Sequence, residues 1–326
     1  MTTSAFDPTR SPHEEVEISG LGTEIAARSP FELFWRRFRQ DKVALGALGF
    51  IVFLIIVAIL APVIIDVVGV TGPNVQNPKA LDQFGTPTGP SSDHPMGVDQ
   101  LGRDVFARVL YGARVSLTVA IIATALAVTV GVVIGLLAGF YRGWVDTGLS
   151  RLIDVVLAFP ILLFGIGLAS ACSLGNGCLG GAIKPGLSLV IFVIAVVNWT
   201  YIARIIRGQV LSVREKEFVL ASESLGAPNR RIIFREILPN LVAPIIVYST
   251  LVIPLNILFE AALSFLGVGI QPPNASWGQM ISDATAIFDT AWWYMLFPGI
   301  ALLLTVLAFN LLGDGLHDAL NPRTGK

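Results

Sequence analysis

Charged residues are scarce in this sequence: they make up 14% of its 326 residues, while hydrophobic residues make up 54%. A soluble fold of this length would have to hide more apolar surface than one core can hold, which excludes an ordinary soluble domain. The composition therefore predicts a polytopic membrane protein. The formal net charge of -1 gives no reason to expect a nucleic-acid partner, because in membrane proteins the division of Lys and Arg between loops carries the information.

Metal ligands and catalytic motifs are scarce as well. With 3 His and 2 Cys in the chain, we expect no metal site. The sequence has no G-x-x-x-x-G-K-[ST] motif, and so no loop of the kind that cradles ATP phosphates. It also lacks H-E-x-x-H and G-x-S-x-G, the common signatures of metalloproteases and serine hydrolases. We therefore expect no catalysis by this chain alone and no cofactor bound to it.

Six apolar runs predict an all-α polytopic fold with six transmembrane helices. Each run is close to or above the roughly 20 residues needed to cross a bilayer, and Pro160 is expected to kink the third span. An even number of spans places both termini on the same side. The predicted spans cover residues 43–68, 115–140, 149–169, 187–206, 241–266 and 293–312.

Two segments precede the first span. Residues 1–28 are rich in Ser, Thr, Pro, Glu and Arg and predict a disordered cytoplasmic tail. Residues 29–42 predict an amphipathic helix at the membrane interface, because Ser29, Pro30 and Glu32 fit a capping box and aromatic residues line the face opposite the arginines. The alternative is that this segment is simply the start of the first span.

The distribution of basic residues sets the predicted orientation. Most of the 22 Lys and Arg residues fall in the two tails and in the loops 141–151 and 204–235, which are therefore expected on the cytoplasmic side. An external loop with an amphipathic helix is predicted over 69–112, the main transmembrane domain over 113–313, and a cytoplasmic tail over 314–326. Four aromatic residues are expected at the outer membrane boundary: Trp277, Trp292, Trp293 and Tyr294.

Three glycines repeat at four-residue spacing in the second span: Gly131, Gly135 and Gly139. This spacing places them on one helix face and predicts the close approach of another helix. The alternative is that they are ordinary glycines in a chain that contains 32 of them.

Polar side chains at membrane depth are the candidates for a translocation path, since such residues mark pathways more often than accidents. They are Asn198, Asn256 and Glu260. Hydrogen bonding between helices is the alternative for all three, and Glu260 could also reach the membrane surface from the outer end of the fifth span. Cys172 and Cys178, in a Gly-rich outer loop, form a possible disulfide, or serve as plain small apolar residues.

The stretch 217–239 is a polar interruption between the fourth and fifth spans, and it predicts a helix, a glycine turn and a second helix. Gly226 stands where the end of a helix favours a residue that tolerates positive φ. The second helix is expected to start near Pro228, and Pro239 to open the return to apolar sequence. The residues that share one face of the first helix are Phe218, Ser222 and Leu225.

This stretch, FVLASESLGAPNRRIIFREILPN, resembles the cytoplasmic E-A-A loop of binding-protein-dependent ABC importer permeases, with Gly226 at the family's glycine. Four further segments are similar to the C-type permease subunit of dipeptide and oligopeptide importers: HPMGVDQLGRDVFARVLYGARVSL, GWVDTGLSRLIDVVLAFP, EAALSFLGVGIQPPNASWGQMI and NLLGDGLHDALNPR. The chain departs from the family pattern at Leu220, where the name-giving Glu stands, and at Glu236, where many relatives have Ile.

The resemblance implies a type I ABC importer transmembrane domain in the cytoplasmic membrane of a bacterium, surrounded by lipid. It also implies three kinds of partner: a second homologous permease subunit, two cytoplasmic ATPase subunits that bind ATP and Mg, and an external substrate-binding lipoprotein. The implied cargo is a dipeptide or oligopeptide, with nickel chelates, glutathione or another small solute as the alternative. The residues implied to couple to the ATPase are Phe218, Ala221, Ser222, Glu223, Leu225, Gly226, Ala227 and Pro228.

Two other classes of protein fit the sequence less well. A self-sufficient carrier or channel would be expected to show inverted repeats or a charged pair for ion coupling within the membrane, and neither is found in the sequence. A membrane-bound enzyme would need a nucleophile, a base or a metal constellation, and the sequence offers none of these.

Overall fold

The fold is known from a computed structural model that describes residues 30–173 and 177–320, and within these ranges the chain is helical apart from loops and isolated bridges. Five helical runs are long and apolar enough to cross a membrane, and a bent helix pair raises the number to six. The α-helices are α1 Pro30–Gln40, α2 Lys42–Val68, α3 Val105–Tyr141, α4 Gly143–Ala158, α5 Ile161–Ser173, α6 Leu187–Arg214, α7 Glu217–Ser224, α8 Asn229–Arg231, α9 Leu238–Phe265, α10 Trp277–Ala284 and α11 Trp292–Leu320.

The chain enters the bundle through α1, and a single residue, Asp41, separates α1 from α2. Asp41 caps α2: its carboxylate accepts hydrogen bonds from the backbone N–H groups of Val43 and Ala44 at 2.9 and 3.0 Å. Phe38 of α1 is buried against the main core, while the guanidinium of Arg39 lies over the ring of Trp35. Ser29 of the predicted capping box and the predicted tail 1–28 lie outside the described residues.

The helix α3 is longer than predicted. An amphipathic helix followed by a separate span at 115–140 was expected, but a single helix runs from Val105 to Tyr141. Asp104 caps its start by accepting a hydrogen bond from the N–H of Ala107 at 2.8 Å. Gly112 lies inside this helix, and the indole of Trp277 occupies the space beside it that a side chain would need. The prediction of two elements in this region was wrong.

The close approach predicted from the glycine spacing is confirmed, and α6 is the partner helix. A Cβ atom built on Gly131 would lie 2.7 Å from Cβ of Ile202, and one on Gly139 would lie 2.7 Å from Cβ of Val210. At Gly135 the nearest atoms would be the backbone oxygen of Ala203 and Cβ of Ile206, both at 2.8 Å. A side chain at any of these positions would force the two helices apart.

We expect the substitution Gly135→Val to destabilise the protein by about 1–3 kcal/mol or more, because overpacked atoms would meet backbone rather than a flexible side chain. Thermal unfolding of the purified, detergent-solubilised complex measures the effect. Gly46→Val is the matched control, since nothing lies within 4 Å of a Cβ atom built on Gly46. Equal unfolding temperatures for the two variants would contradict the packing described above.

The predicted third span, 149–169, is broken into two helices. α4 and α5 meet at an angle of 88° at a short break around Phe159 and Pro160. Proline lacks an N–H group, and it drives the preceding residue out of the helical region; Phe159 accordingly has φ −82° and ψ 138°. The proline was expected to kink the span, and instead it ends one helix and starts another.

The last two spans also extend beyond their predicted limits. The second helix of the 217–239 stretch does not end at Pro239 but continues into the fifth span as one run, Asn229–Phe265. A π-helical turn, Ile232–Ile237, comes directly before the proline; such a wide turn makes room for a ring that would clash with a regular helix. α11 continues to Leu320, so most of the predicted tail 314–326 is helical.

One end of the bundle is closed by a loop cap, formed by residues 71–104 together with α10. Asp99 is fully buried in it and accepts a hydrogen bond from Nε of Arg103 at 2.7 Å. The buried Nε of Arg108 lies 3.5 Å from the same carboxylate, and His94 Nδ1 lies 2.7 Å from Asp104. The cap is therefore held together by buried charge pairs as well as by apolar packing.

Three of the four aromatic residues predicted at the outer membrane boundary are buried in or beneath the loop cap. Trp277 donates a hydrogen bond from its indole N–H to the carbonyl of Val109 at 3.1 Å, and Trp293 donates one to the carbonyl of Val98 at 3.2 Å. Tyr294 is fully buried, and only Trp292 is exposed. The prediction of an aromatic belt was wrong for these three residues, since their rings are used for packing.

Candidate functional site

The candidate site is the docking helix, defined here as α7 Glu217–Ser224 with its turn through Pro228. The turn is a Schellman motif: the N–H of Ala227 donates to the carbonyl of Ser222 at 3.1 Å, and that of Gly226 to the carbonyl of Glu223 at 2.9 Å. Gly226 has φ 74°, which is strained for residues with a side chain. The turn geometry expected at Gly226 is thus present.

One buried side chain holds the docking helix against the bundle, and most of its other side chains are exposed. Val219 is fully buried within a cluster that includes Ile232 and Ile237. Two large apolar residues are exposed by 42% and 88%, Phe218 and Leu225 respectively. Leu220, which sequence reasoning did not include among the site residues, is 49% exposed. A short helix with this much apolar surface in the open is typical of a binding element.

The remaining residues predicted in this site differ in exposure. Ala221, Glu223 and Pro228 are exposed, whereas Ser222 and Ala227 are half-buried. The hydroxyl of Ser222 donates to the carbonyl of Phe218 at 3.1 Å, so it is used within the helix. The predicted face of Phe218, Ser222 and Leu225 therefore contributes its two apolar members to the exposed surface.

Arg214 ties the docking helix to the rest of the bundle. Its guanidinium donates to the carbonyl of Phe140 at the end of α3 and lies over the Phe140 ring, 5.2 Å from the ring centre. Its Nε is 3.8 Å from a carboxylate oxygen of Glu223 in α7. Sequence reasoning counted Arg214 only as one of many basic loop residues, and no sequence signal separates it from them. Arg214, which lies near the end of α6, therefore links α7 to the end of α3.

The polar residues predicted at membrane depth form hydrogen bonds between helices. The side-chain amide of Asn198 donates to Asn256 at 2.8 Å, and that of Asn256 donates to the hydroxyl of Thr124 at 2.7 Å. Glu260 accepts hydrogen bonds from Ser116 at 3.0 Å and from Ser264 at 2.8 Å. Asn256 and Glu260 are fully buried within the chain and Asn198 only partly. Hydrogen bonding, the alternative role, is what the geometry provides for Asn256 and Glu260.

The structure pairs Cys172 at the end of α5 with Cys178 in the following loop, and the two Cα atoms are 4.9 Å apart. The pair fixes the end of α5 close to the segment that leads into α6. In the described part of the chain, no group of three or more His, Cys, Asp or Glu side chains is arranged to hold a metal ion.

The bundle of candidate membrane-spanning helices, with an exposed and tightly turned helix between two of them, fits a transmembrane permease subunit. Residues 131–326 match the family of binding-protein-dependent transport system inner membrane components, and residues 29–81 match the N-terminal transmembrane domain of oligopeptide transport permease C. The chain belongs to this family: it is the permease subunit of an ABC importer and a multi-pass protein of the bacterial inner membrane. A subunit of this class works with ATPase and permease partners.

Relatives and solved structures agree with this assignment. The dipeptide transport system permease protein DppC of Alkalihalophilus pseudofirmus is 40% identical over 303 residues, which are 92% of each chain. The glutathione transport system permease protein GsiD of Escherichia coli is 40% identical over 299 residues, 91% of each chain. In fold, the chain is similar to an inward-facing MetNI methionine ABC transporter, with a TM-score of 0.55 and 17% identity, covering 66% of this chain and 96% of that one.

Proposed function

We propose that this permease subunit imports dipeptides or oligopeptides in an ATP-driven complex. The observation that carries the proposal is the identity of 40% with a dipeptide permease over 92% of both chains. Putative peptide permeases of Brucella species, 42% identical over 222 residues, support the same class of cargo. A match over nearly the whole length includes the membrane spans that face the cargo as well as the cytoplasmic loop that faces the ATPase.

The docking helix is the part that receives the energy of ATP hydrolysis. A short helix laid into a groove of a partner is a common mode of recognition, and Phe218, Leu220 and Leu225 supply the apolar contacts for it. Because Leu220 stands where the family often has Glu, binding of the docking helix to the ATPase depends on apolar burial and on the turn at Gly226 more than on a charge pair. The docking helix and both chain ends lie on the cytoplasmic side in this proposal, following the distribution of Lys and Arg.

The complex contains two permeases, two ATPases and an external substrate-binding lipoprotein. One docking helix per chain implies one ATPase contact per permease, so a pair of ATPases needs a second, homologous permease. When the ATPases close on ATP, they draw the two docking helices together. The bundles then tilt from inward-open to outward-open as rigid bodies, with Arg214 transmitting the movement to α3 and α6 in this chain.

Glutathione is the second candidate cargo, because GsiD matches this chain with the same 40% identity over 91% of its length. Glutathione is itself a small peptide with two free carboxylates, so a pathway for peptides and one for glutathione share much of their chemistry. The two candidates differ in which cargo the external partner delivers.

The test is uptake by the complex reconstituted in lipid vesicles with its ATPases and its external binding protein. We expect ATP-dependent uptake of radiolabelled dialanine that unlabelled tripeptides inhibit, while glutathione at the same concentration does not. If glutathione inhibits dialanine uptake and the other tripeptides do not, glutathione becomes the proposed cargo. Uptake of dialanine without ATP or without the partner subunits would contradict the proposed mechanism.

A further inference from the structure

An ion pair on the open surface of the bundle sits in an unusual place for a membrane protein. Arg204 of α6 and Asp154 of α4 are 2.5 Å apart, and their side chains are 55% and 53% exposed. Charged groups within a span are costly when they face lipid. The question is therefore how deep this pair lies and what covers it.

The packing of α6 against the uncharged part of α3 gives the depth. Between Arg114 and Arg142 this part has no charged residue, and it is about 40 Å long against a hydrocarbon core of about 30 Å. A Cβ atom built on Gly135 would lie 2.8 Å from the backbone oxygen of Ala203, which places Arg204 level with Gly135. The uncharged part exceeds the hydrocarbon core by about 10 Å, which is about 5 Å at each end when the two are centred on each other. Because Tyr141 at the end of α3 is about 9 Å further on than Gly135, this placement puts Arg204 just inside the hydrocarbon region.

A polar stripe follows the same face of α6 towards the middle of the membrane. Tyr201, one turn from Arg204, is 46% exposed, and Asn198, a further turn away, is partly exposed and held by Asn256. The face of α6 opposite the stripe carries the buried Ala203 and Ile206, which pack against α3 at Gly135. The stripe therefore points away from the chain's own core.

Another exposed face of the bundle, at the same depth, shows what a lipid-facing surface looks like in this protein. Between residues 122 and 137 of α3 the large exposed residues are all apolar: Ile122, Leu126, Val130, Val133 and Leu137. Thr129 is exposed and polar as well, but its hydroxyl donates to the carbonyl of Ala125 in the same helix at 2.7 Å. Val133, which is 51% exposed, lies level with Tyr201, which is 46% exposed. Two surfaces with similar exposure and similar depth thus differ in polarity, since only the stripe on α6 carries a charged pair. An isolated arginine could stretch towards the membrane surface, but the short side chain of Asp154 has no such reach.

We propose that the stripe Asn198, Tyr201 and Arg204, together with Asp154, lines the water-filled translocation pathway and contacts the cargo. The amide of Asn198 offers hydrogen bonds to peptide groups, and the Arg204 and Asp154 pair offers opposite charges to the carboxylate and ammonium ends of a peptide. This proposal rests on the proposed function and deepens it. Asn256 and Glu260 do not belong to the lining, because they are buried within the chain.

Water access is tested with single cysteines in the complete complex, using a cationic, water-soluble methanethiosulfonate reagent. We expect Tyr201→Cys to react at least about 10-fold faster than Val133→Cys, since only a thiol in contact with water forms the reactive thiolate readily. The unsubstituted complex gives the background. Gly208→Cys is a second variant on the same side of α6, and it adds no clash because nothing lies within 4 Å of a Cβ atom built there. Equal rates at positions 201 and 133 in both nucleotide-free and ATP-bound complexes would overturn the proposal.

Cargo contact is tested separately with dialanine uptake by Arg204→Gln and Arg204→Lys. We expect the Gln variant to raise the KM for uptake about 10-fold, because a charge-assisted hydrogen bond is lost, and the Lys variant to restore most of it. Identical KM values for the two variants would contradict a contact with the cargo. If the unsubstituted complex imports no peptide, the proposed function fails, while the cysteine reactivities still show whether the stripe faces water.

Discussion

Substitution of Gly226 by proline should abolish the cargo-stimulated ATP hydrolysis of the assembled importer. The backbone at Gly226 has φ 74°, whereas a proline ring fixes φ near −65°. Proline would also remove the N–H group that donates to Glu223 at 2.9 Å. Because both changes redirect the docking helix, we expect stimulation of the ATPase by dialanine and the binding protein to fall more than 10-fold. The measurement is phosphate release by the reconstituted complex.

Gly226→Asn is the matched control, since asparagine adopts the left-handed conformation with little strain and keeps its N–H group. We expect this variant to retain most of the stimulation. Both variants should still insert into the membrane and co-purify with the second permease, because nothing lies within 4 Å of a Cβ atom at this position. Full stimulation in the proline variant would show that the turn does not set the coupling geometry.

Removal of the Asp99 carboxylate should unfold the loop cap. Asp99 accepts hydrogen bonds from the backbone N–H groups of Leu101 and Arg103 and from Nε of Arg103, and it lies 3.5 Å from Nε of Arg108. Asp99→Ala would leave two buried guanidinium groups without this carboxylate, which costs about 3–5 kcal/mol. Limited proteolysis of residues 71–104 and thermal unfolding of the detergent-solubilised complex measure the loss.

The exposed ion pair between Arg142 and Glu215 provides the control for this experiment. Its nitrogen and oxygen are 3.0 Å apart, but both side chains are at least half exposed, so Glu215→Ala should cost less than about 1 kcal/mol. Similar losses in the Asp99 and Glu215 variants would contradict the structural role given to the buried charges. Cleavage of the cap in the Asp99 variant alone would support it.

The sequence was most informative where one local rule decides the structure. The glycines at 131, 135 and 139 predicted a close helix contact because their four-residue spacing admits one geometry, and α6 packs at that face. Gly226 marked the end of α7 for a similar reason, since its φ of 74° suits glycine better than other residues. In both places the absence of a side chain is itself the signal.

The sequence was least informative where contacts between distant segments decide. Trp277 and Trp293 have the composition of membrane-boundary residues, but their indole N–H groups donate to backbone carbonyls of Val109 and Val98, far away in sequence. Glu260 has the appearance of a pathway residue, but serines of α3 and α9 enclose it. Hydrophobic pattern gives the depth of a residue in the membrane, and it does not show which neighbour faces it.

The break at Pro160 shows a further limit of sequence reasoning. A proline in an apolar run is compatible with a kinked helix or with two separate helices, because neighbouring groups decide whether the freed backbone groups find partners. Here the angle of 88° turns α5 away from α4. The exposed face of α4 that results brings Asp154 beside Arg204, a pairing that linear spacing does not predict.

Photocrosslinking from position 225 tests most directly whether the docking helix contacts an ATPase subunit. p-Benzoylphenylalanine would replace Leu225, which is 88% exposed, and in a separate complex Phe84 of the loop cap, which is 83% exposed. Irradiation of the intact importer is predicted to join position 225 to an ATPase subunit and to give no such product from position 84. An ATPase adduct from position 84, or none from position 225, would contradict the account.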